Sequence, residues 1–386
     1  MIAVLGEGIT GTAAKEKLSE MGLYTSDLTK ADWIVTSPGI PPEQFPKTSV
    51  EIVSEIEAAY RLFEEKPVLI GVTGTNGKST VTALLAHVLQ VPYCGNIGIP
   101  LISYVGKKEK ALVVELSSYQ LEQCFSFKPH ISIFMNLTQD HMQRHKTMAE
   151  YGRQKAKIFQ NQGLEDYLIY YEDDHYVREL AAGARCQRLP FSLRSPEKEL
   201  LTDFHLVGPH NQLNAIAVIK AARLMGLDDA TLKKRISTFQ PLEHRLIRVL
   251  EYQGRVFYND SKATNPDSTV VAVESFKEPI HLILCGFDKG LELEDFAKFL
   301  VGRVKTITVF GDIAKRMAPA LKQIDPNFPV FQESELTPAV QRAFQASQRG
   351  DVILFSPSCS SFDQFKDFNH RGEQFNECLK KNYGLS

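Results

Sequence analysis

The chain has 386 residues, 43% hydrophobic and 23% charged, with 44 basic and 46 acidic side chains for a net charge of −2. That length exceeds one ordinary core and predicts two or three domains. The balanced charge leaves no electrostatic footprint for DNA, RNA or an anionic membrane, and no segment approaches the roughly 18 apolar residues of a membrane span. The six cysteines, Cys94, Cys124, Cys186, Cys285, Cys359 and Cys378, show no C-x-x-C spacing, so reduced thiols and a cytoplasmic location are expected. The opening Met1-Ile2-Ala3-Val4-Leu5 reads as a strand, without the basic flank or apolar length of a signal peptide.

That strand runs into Gly6-Glu7-Gly8-Ile9-Thr10-Gly11 and a helix from Thr12 to Met21. The spacing meets the local dinucleotide fingerprint, but the second strand that should end in an acidic residue is replaced by the polar, broken Tyr24–Lys30 segment. Three readings stay open for this loop: a substrate phosphate or diphosphate, NAD, or tight-turn packing. A strand at Trp33–Thr36 ends in the turn cluster Ser37-Pro38-Gly39-Ile40-Pro41-Pro42, and strand ends carry sites in open α/β sheets. A helix from Val50 to Phe63 and the polar Glu64-Glu65-Lys66-Pro67 close a first domain, 1–66.

The most informative segment follows. Val68-Leu69-Ile70 leads into Gly71-Val72-Thr73-Gly74-Thr75-Asn76-Gly77-Lys78-Ser79-Thr80 and a helical stretch. A glycine-rich turn at a helix N-terminus presents unpaired amides and the positive dipole end to anions. Lys78 adds charge, and Ser79 or Thr80 can ligate Mg²⁺. This is a nucleoside triphosphate site, and Val72 stands where the strict Walker pattern wants glycine.

Strands then alternate with helices: Leu112–Glu115, Ile131–Phe134, a helix from Met148 to Phe159, strand Tyr167–Tyr170, and helices from His210 to Met225 and Ala230 to Phe239. That alternation predicts a parallel sheet with covering helices. Glu115, at a strand end beside the phosphate loop, suits a magnesium ligand or a water-orienting carboxylate; capping the next helix is the alternative. Asn136-Leu137-Thr138-Gln139-Asp140-His141 is released at another strand end, where His141 could ligate metal or substrate. Lys155, with Arg153 and Lys157, reads by composition as a solvated basic face. Asn211 and Asn214 share one helix face and could read a base edge, although N-capping competes for Asn211. Gln240-Pro241 ends the central domain, 67–241.

The last domain, 242–386, begins with a hairpin, Leu246–Tyr252 and Val256–Asn259, turning at Gln253-Gly254. Strands at His281–Cys285, Thr306–Phe310 and Val352–Phe355 alternate with helices. Glu243-His244-Arg245, Asp260–Pro266, Gly286–Gly290 and Ser356–Asp363 each sit near a strand end, so one crevice is expected. Arg245, Lys262 and Lys289 bring three cations, which suit a triphosphate and a carboxylate substrate. Turns and helix caps are the competing reading of each segment.

Taken in order, these segments resemble the Mur ligases of peptidoglycan precursor synthesis over nearly the whole chain. The Gly74–Ser79 loop, Glu115, the Asn211/Asn214 pair and His244-Arg245 look like the general pattern. Asp260–Asn265, Gly286–Gly290 and Ser356–Gly372 are similar to the branch that adds D-glutamate. The resemblance implies α/β folding throughout: a short Rossmann-like N-terminal domain, a central P-loop ATPase-type domain with a mainly parallel sheet, and a C-terminal Rossmann-like domain. It implies an ATP-dependent ligase joining D-glutamate to UDP-N-acetylmuramoyl-L-alanine through an acyl phosphate, acting as a monomer with those small molecules as partners.

It also implies residue roles. Gly74, Thr75, Asn76, Gly77, Lys78, Ser79 and Thr80 hold ATP with Asn211, Asn214, Arg245 and Asp260. Ser79, Glu115, His141 and an N-carboxylated (carbamylated) Lys155 hold Mg²⁺, and Lys78, Glu115, His141 and Lys155 form the catalytic set. Thr10, Ser37, Asn96, Ser117 and Gln120 contact the UDP-sugar substrate; Lys262, Thr264, Lys289, Ser361, Phe362 and Phe368 surround D-glutamate. One departure stands out: between Met21 and Trp33 the family has another strand and a longer uracil-holding loop, nearly absent here. A ligase adding a different amino acid and a nucleotide-binding scaffold without ligase activity are the alternatives.

Overall fold

The structure, a computed structural model, describes residues 1–206, 208–288, 290 and 293–384. It divides into two units, Met1–His205 with Asn211–Phe239, and Leu206–His210 with Gln240–Ser386.

The first unit holds two parallel sheets. In the smaller, β1 (Ile2–Leu5), β2 (Trp33–Thr36) and β3 (Glu51–Ser54) pair in that order. The expected helix from Val50 to Phe63 is therefore wrong at its start: Glu51-Ile52-Val53-Ser54 is a strand in register with β2, and the helix is Glu55–Leu62. Two β-branched residues fit the pleat, and Ser54 ends the strand by accepting the Glu57 N–H as helix N-cap. On the other side of β1, the broken Tyr24 segment forms a single bridge. The Ile2 N–H donates to the Leu23 carbonyl at 2.7 Å and the Thr25 N–H donates to the Ile2 carbonyl at 3.0 Å.

The second sheet has the order β5 (Tyr93–Gly95), β6 (Ala111–Glu115), β4 (Val68–Thr73), β7 (Ile131–Phe134), β8 (Tyr167–Tyr171), β9 (Gln187–Phe191). All its pairings are parallel, and β6 and β7 are buried at every position, as a sheet covered on both faces requires. With β4 between β6 and β7, the chain reverses its direction of sheet growth there. The crevice beyond the carboxyl ends of those strands is where the order switches. Glu57 fastens the two sheets: its carboxylate accepts the N–H groups of Phe125, Ser126 and Phe127 at 2.9–3.0 Å and the Arg61 Nε–H at 2.8 Å.

The second unit is a six-stranded sheet ordered β10 (Ile247–Tyr252), β11 (Arg255–Asn259), β15 (Val352–Ser358), β12 (Ile280–Cys285), β13 (Thr306–Phe310), β14 (Val330–Gln332). Among the described strand pairings of this sheet the β10–β11 hairpin is antiparallel and the rest are parallel. Separate apolar clusters, one around Leu282, Val309 and Leu354 and one around Ile283, Phe310 and Phe355, cover its two faces. Among the described residues no helix is long and apolar enough to cross a membrane.

Candidate functional site

The glycine loop leaves β4 at Thr73 and enters the helix Lys78–Leu89 through Gly77 in the left-handed region, φ 82°. A Cβ at Gly77 would lie 2.6 Å from Asn214 Oδ1, so glycine is required both by backbone conformation and by that close approach. Asn214 Nδ2 donates to Asn211 Oδ1 at 3.2 Å. The helix begins at Pro209, which puts Asn211 in its first turn and removes the N-cap reading.

The loop's shape is fixed from β7. Thr75 N–H donates to the Asn136 carbonyl at 2.8 Å, Asn76 N–H donates to Asn136 Oδ1 at 2.8 Å, and Thr75 Oγ1 is within 3.3 Å of the Tyr151 hydroxyl. Lys78 Nζ donates to the Gly74 and Thr75 carbonyls at 2.9 and 2.7 Å. Ser79 and Thr80 are buried in the first helical turn.

Lys155 is the clearest correction to composition. It is 1% exposed, not part of a solvated face, and its Nζ donates to the Gly74 carbonyl at 2.7 Å. Burial, reinforced by the Lys78 charge, pushes its pKa well below the ordinary lysine value. A neutral amine is a nucleophile.

Glu115 ends β6 buried, with Oε1 accepting from Asn96 Nδ2 at 2.8 Å and Oε2 without any hydrogen-bond partner. It does not cap the next helix. Ser117 does, in a capping box with Gln120: the Gln120 N–H donates to Ser117 Oγ at 3.2 Å and the Ser117 N–H donates to Gln120 Oε1 at 3.0 Å. Asn96, Ser117 and Gln120 thus stand together at the β6 end. His141 sits beyond β7, its Nδ1 3.0 Å from the Tyr119 hydroxyl.

The residues here fit a magnesium nucleotide. Mg²⁺ keeps waters and takes one or two carboxylates plus phosphates, and the orphaned, buried Oε2 of Glu115 is an oxygen awaiting such a partner. Among the described residues no cluster of three or more His, Cys, Asp and Glu could hold a metal on its own.

In the smaller sheet, Gly6 and Gly11 close over Ser37. Cβ atoms there would meet Ser37 Oγ at 2.5 and 3.0 Å, and that buried hydroxyl oxygen has no partner. Thr10 lies half-buried in the first turn of the helix Ile9–Glu20. An unpaired hydroxyl under a glycine loop at a helix N-terminus suits an anionic oxygen.

In the second unit, strand ends place Asp260 after β11 and Ser356 within β15. Ser356 Oγ donates to Asp260 Oδ2 at 2.8 Å and the Leu246 N–H donates to Oδ1 at 3.1 Å. Burial nevertheless raises the Asp260 pKa to about 7, with the Ser356 bond and the Arg245 charge opposing the rise. Lys262 Nζ lies 3.4 Å from the Phe368 ring centroid, bringing the two together. Thr264 is half-buried in the same loop, Ser361 is buried and Phe362 is 71% exposed; Lys289 lies outside the described residues.

Arg371, which the sequence pattern did not single out, organises these loops. Fully buried, it donates to Ser261 Oγ (3.1 Å), the Ser261 carbonyl (2.7 Å) and the Cys359 carbonyl (2.9 Å), tying the segment after β11 to the segment after β15. In the sequence it is one arginine on a mixed helix; only its neighbour Gly372, whose Cβ would meet the His244 ring at 2.3 Å, hints at close packing.

Comparison with known proteins agrees with this architecture. The Mur ligase middle domain matches residues 72–222, and the Mur ligase glutamate ligase domain matches residues 244–359. The chain is 35% identical to a UDP-N-acetylmuramoylalanine–D-glutamate ligase of Caldanaerobacter subterraneus subsp. tengcongensis, covering 95% of this chain and 90% of that one. It is 36% identical to the protein of the same name from a Thermoanaerobacter species, covering 91% and 85%. Among solved structures, a MurF ligase from Thermotoga maritima in complex with ADP shares the fold with a TM-score of 0.65 at 17% identity, covering 99% of this chain and 95% of that one.

Proposed function

The chain belongs to the Mur ligase family, and we propose that it is the member that joins D-glutamate to UDP-N-acetylmuramoyl-L-alanine using ATP. The observation that carries this reading is the phosphate loop with the orphaned Glu115 Oε2 and the buried Lys155 beside it, in a chain 35–36% identical to ligases of that name.

The chemistry has two steps. An alanyl carboxylate oxygen attacks the γ-phosphorus, the bond to the β-phosphate oxygen breaks, and ADP leaves with the electron pair. The D-glutamate nitrogen then attacks the acyl carbon, the C–O bond breaks, phosphate departs and the amine gives up a proton. A carboxylate is a poor electrophile, and phosphorylation supplies the leaving group.

The residue parts are those that the family resemblance assigns, and the loop, Glu115 and Lys155 geometry above supports them. The Gly74–Thr80 amides and Lys78 would bind the phosphates and stabilise charge moving onto their oxygens. Ser79, Glu115, His141 and carbamylated Lys155 would hold Mg²⁺, which supplies Lewis-acid charge neutralisation. Carbamylation is assigned by the family resemblance, and the burial of Lys155 against the Gly74 carbonyl supports it: a neutral Nζ would attack carbon dioxide, an N–C bond forming as one C=O π bond opens and a proton leaves the nitrogen. Asn211, Asn214, Arg245 and Asp260 are assigned to the nucleotide. Thr10, Ser37, Asn96, Ser117 and Gln120 are assigned to the UDP-sugar peptide, and Lys262, Thr264, Lys289, Ser361, Phe362 and Phe368 to D-glutamate. A monomer at work in the cytoplasm, in three domains at 1–66, 67–241 and 242–386, completes the proposal.

Phosphate release with UDP-N-acetylmuramoyl-L-alanine and ATP tests it. Release with D-glutamate but not L-glutamate, L-lysine or diaminopimelate is expected. Release with one of the others and none with D-glutamate overturns it.

A further inference from the structure

His141 adopts φ 57° and ψ 29°, a conformation few side chains take, and such a residue persists only where its surroundings over-determine it. Three contacts do so. Its N–H donates to Asp140 Oδ1 at 2.8 Å, its ring packs edge-on against Tyr151 with centroids 6.1 Å apart, and its Nδ1 lies 3.0 Å from the Tyr119 hydroxyl. Tyr119 is in turn immobilised. The Arg144 guanidinium lies 5.1 Å from its ring centroid and is held by Glu122 at 2.5 and 3.1 Å, while the His145 ring sits 5.5 Å from the tyrosine ring.

The two imidazole nitrogens are not equivalent: the partner of one decides what the other can do. We propose that Tyr119 is a positioning residue whose hydroxyl accepts the Nδ1–H of His141 and so presents the Nε2 lone pair to the divalent cation. Asp140 Oδ2, 3.6 Å from Nε2, brings a carboxylate to the same side, adding negative charge for a cation there. Arg144 and Glu122 act one step further out by fixing the tyrosine ring. The inference rests on the metal role proposed above for His141.

Tyr119→Phe removes one oxygen and keeps the ring, its packing and its contact with Arg144. Mn²⁺ binding to the full chain with ADP, read by electron paramagnetic resonance, should weaken about tenfold, as loss of a partner behind a metal ligand typically does. The Mg²⁺ concentration for half-maximal activity should rise in parallel, with KM for D-glutamate and the melting temperature unchanged. Nitrogen-15 spectra of His141 in the resting protein should report the Nδ1–H tautomer. An Nε2–H tautomer, with its proton toward Asp140, overturns the proposal. Undiminished Mn²⁺ affinity in Tyr119→Phe beside weakened affinity in His141→Ala overturns the Tyr119 role alone; undiminished affinity in both overturns the metal role of His141 as well.

Discussion

Lys155 Nζ donates a 2.7 Å hydrogen bond to the carbonyl of Gly74, the residue that opens the phosphate loop. A lysine so placed cannot serve as a solvated charge. Its burial favours the uncharged amine, the form that reacts with carbon dioxide.

Lys155→Ala should abolish phosphate release while leaving the circular dichroism spectrum unchanged. A short-chain carboxylic acid added to that variant should restore part of the activity, by putting a carboxylate where the carbamate stood. An active Lys155→Ala, or one that no such acid rescues, removes the carbamate from the mechanism.

The glycine loop makes its own prediction. Lys78→Ala should end acyl phosphate formation, read as loss of phosphate release with an unchanged circular dichroism spectrum, because it removes the cation held at the loop by the Gly74 and Thr75 carbonyls, whose charge-assisted contacts are worth about 1.5–3 kcal/mol each. Gly77→Ala should weaken ATP at least tenfold by calorimetry, since it places a Cβ against Asn214 at a positive φ costing on the order of 1–3 kcal/mol.

Glu55 gives a pH dependence remote from catalysis. It is fully buried, accepts the Ile102 N–H at 2.6 Å through Oε1, and leaves Oε2 without a partner. Burial raises its pKa from 4.5 to about 7, against the opposing Ile102 bond. The native state therefore keeps a proton that the unfolded chain releases above pH 4.5. The stability this confers is full below that pH and is lost as pH rises through about 7. The span is about 3 kcal/mol. Glu55→Gln keeps an acceptor for Ile102 and carries no charge, so its urea midpoint should fall less than the parent's between pH 5 and 8, the remaining fall including that of Asp260, whose pKa burial also raises. A parallel fall in both would refute the assignment.

Arg371 should matter more than its place in the sequence suggests. Arg371→Met removes the charged donors that reach the buried carbonyls of Ser261 and Cys359, at about 3 kcal/mol in denaturant unfolding. KM for D-glutamate should rise with it. Arg371→Lys should recover less than half of the stability, because an ammonium cannot span the three acceptors of a planar fork.

The sequence alone determined the alternation of strands and helices, the phosphate loop, and the grouping of polar residues at strand ends, because each is written in local periodicity and in turn chemistry. Ile131–Phe134 and Thr306–Phe310 have the expected bounds for that reason. β3 was hidden inside a helical reading because Glu51–Ser54 becomes a strand by pairing with β2, and the bridge at Tyr24 has no strand pattern at all.

Tertiary structure decided what the polar residues are. It turned Lys155 from a surface charge into a buried amine, left one oxygen of Glu115 without a partner, and set Tyr119 against His141 and Arg371 beneath two loops. Desolvation and hydrogen-bond satisfaction depend on which groups meet across the chain, and no local pattern encodes a meeting between residues 81 or 110 positions apart.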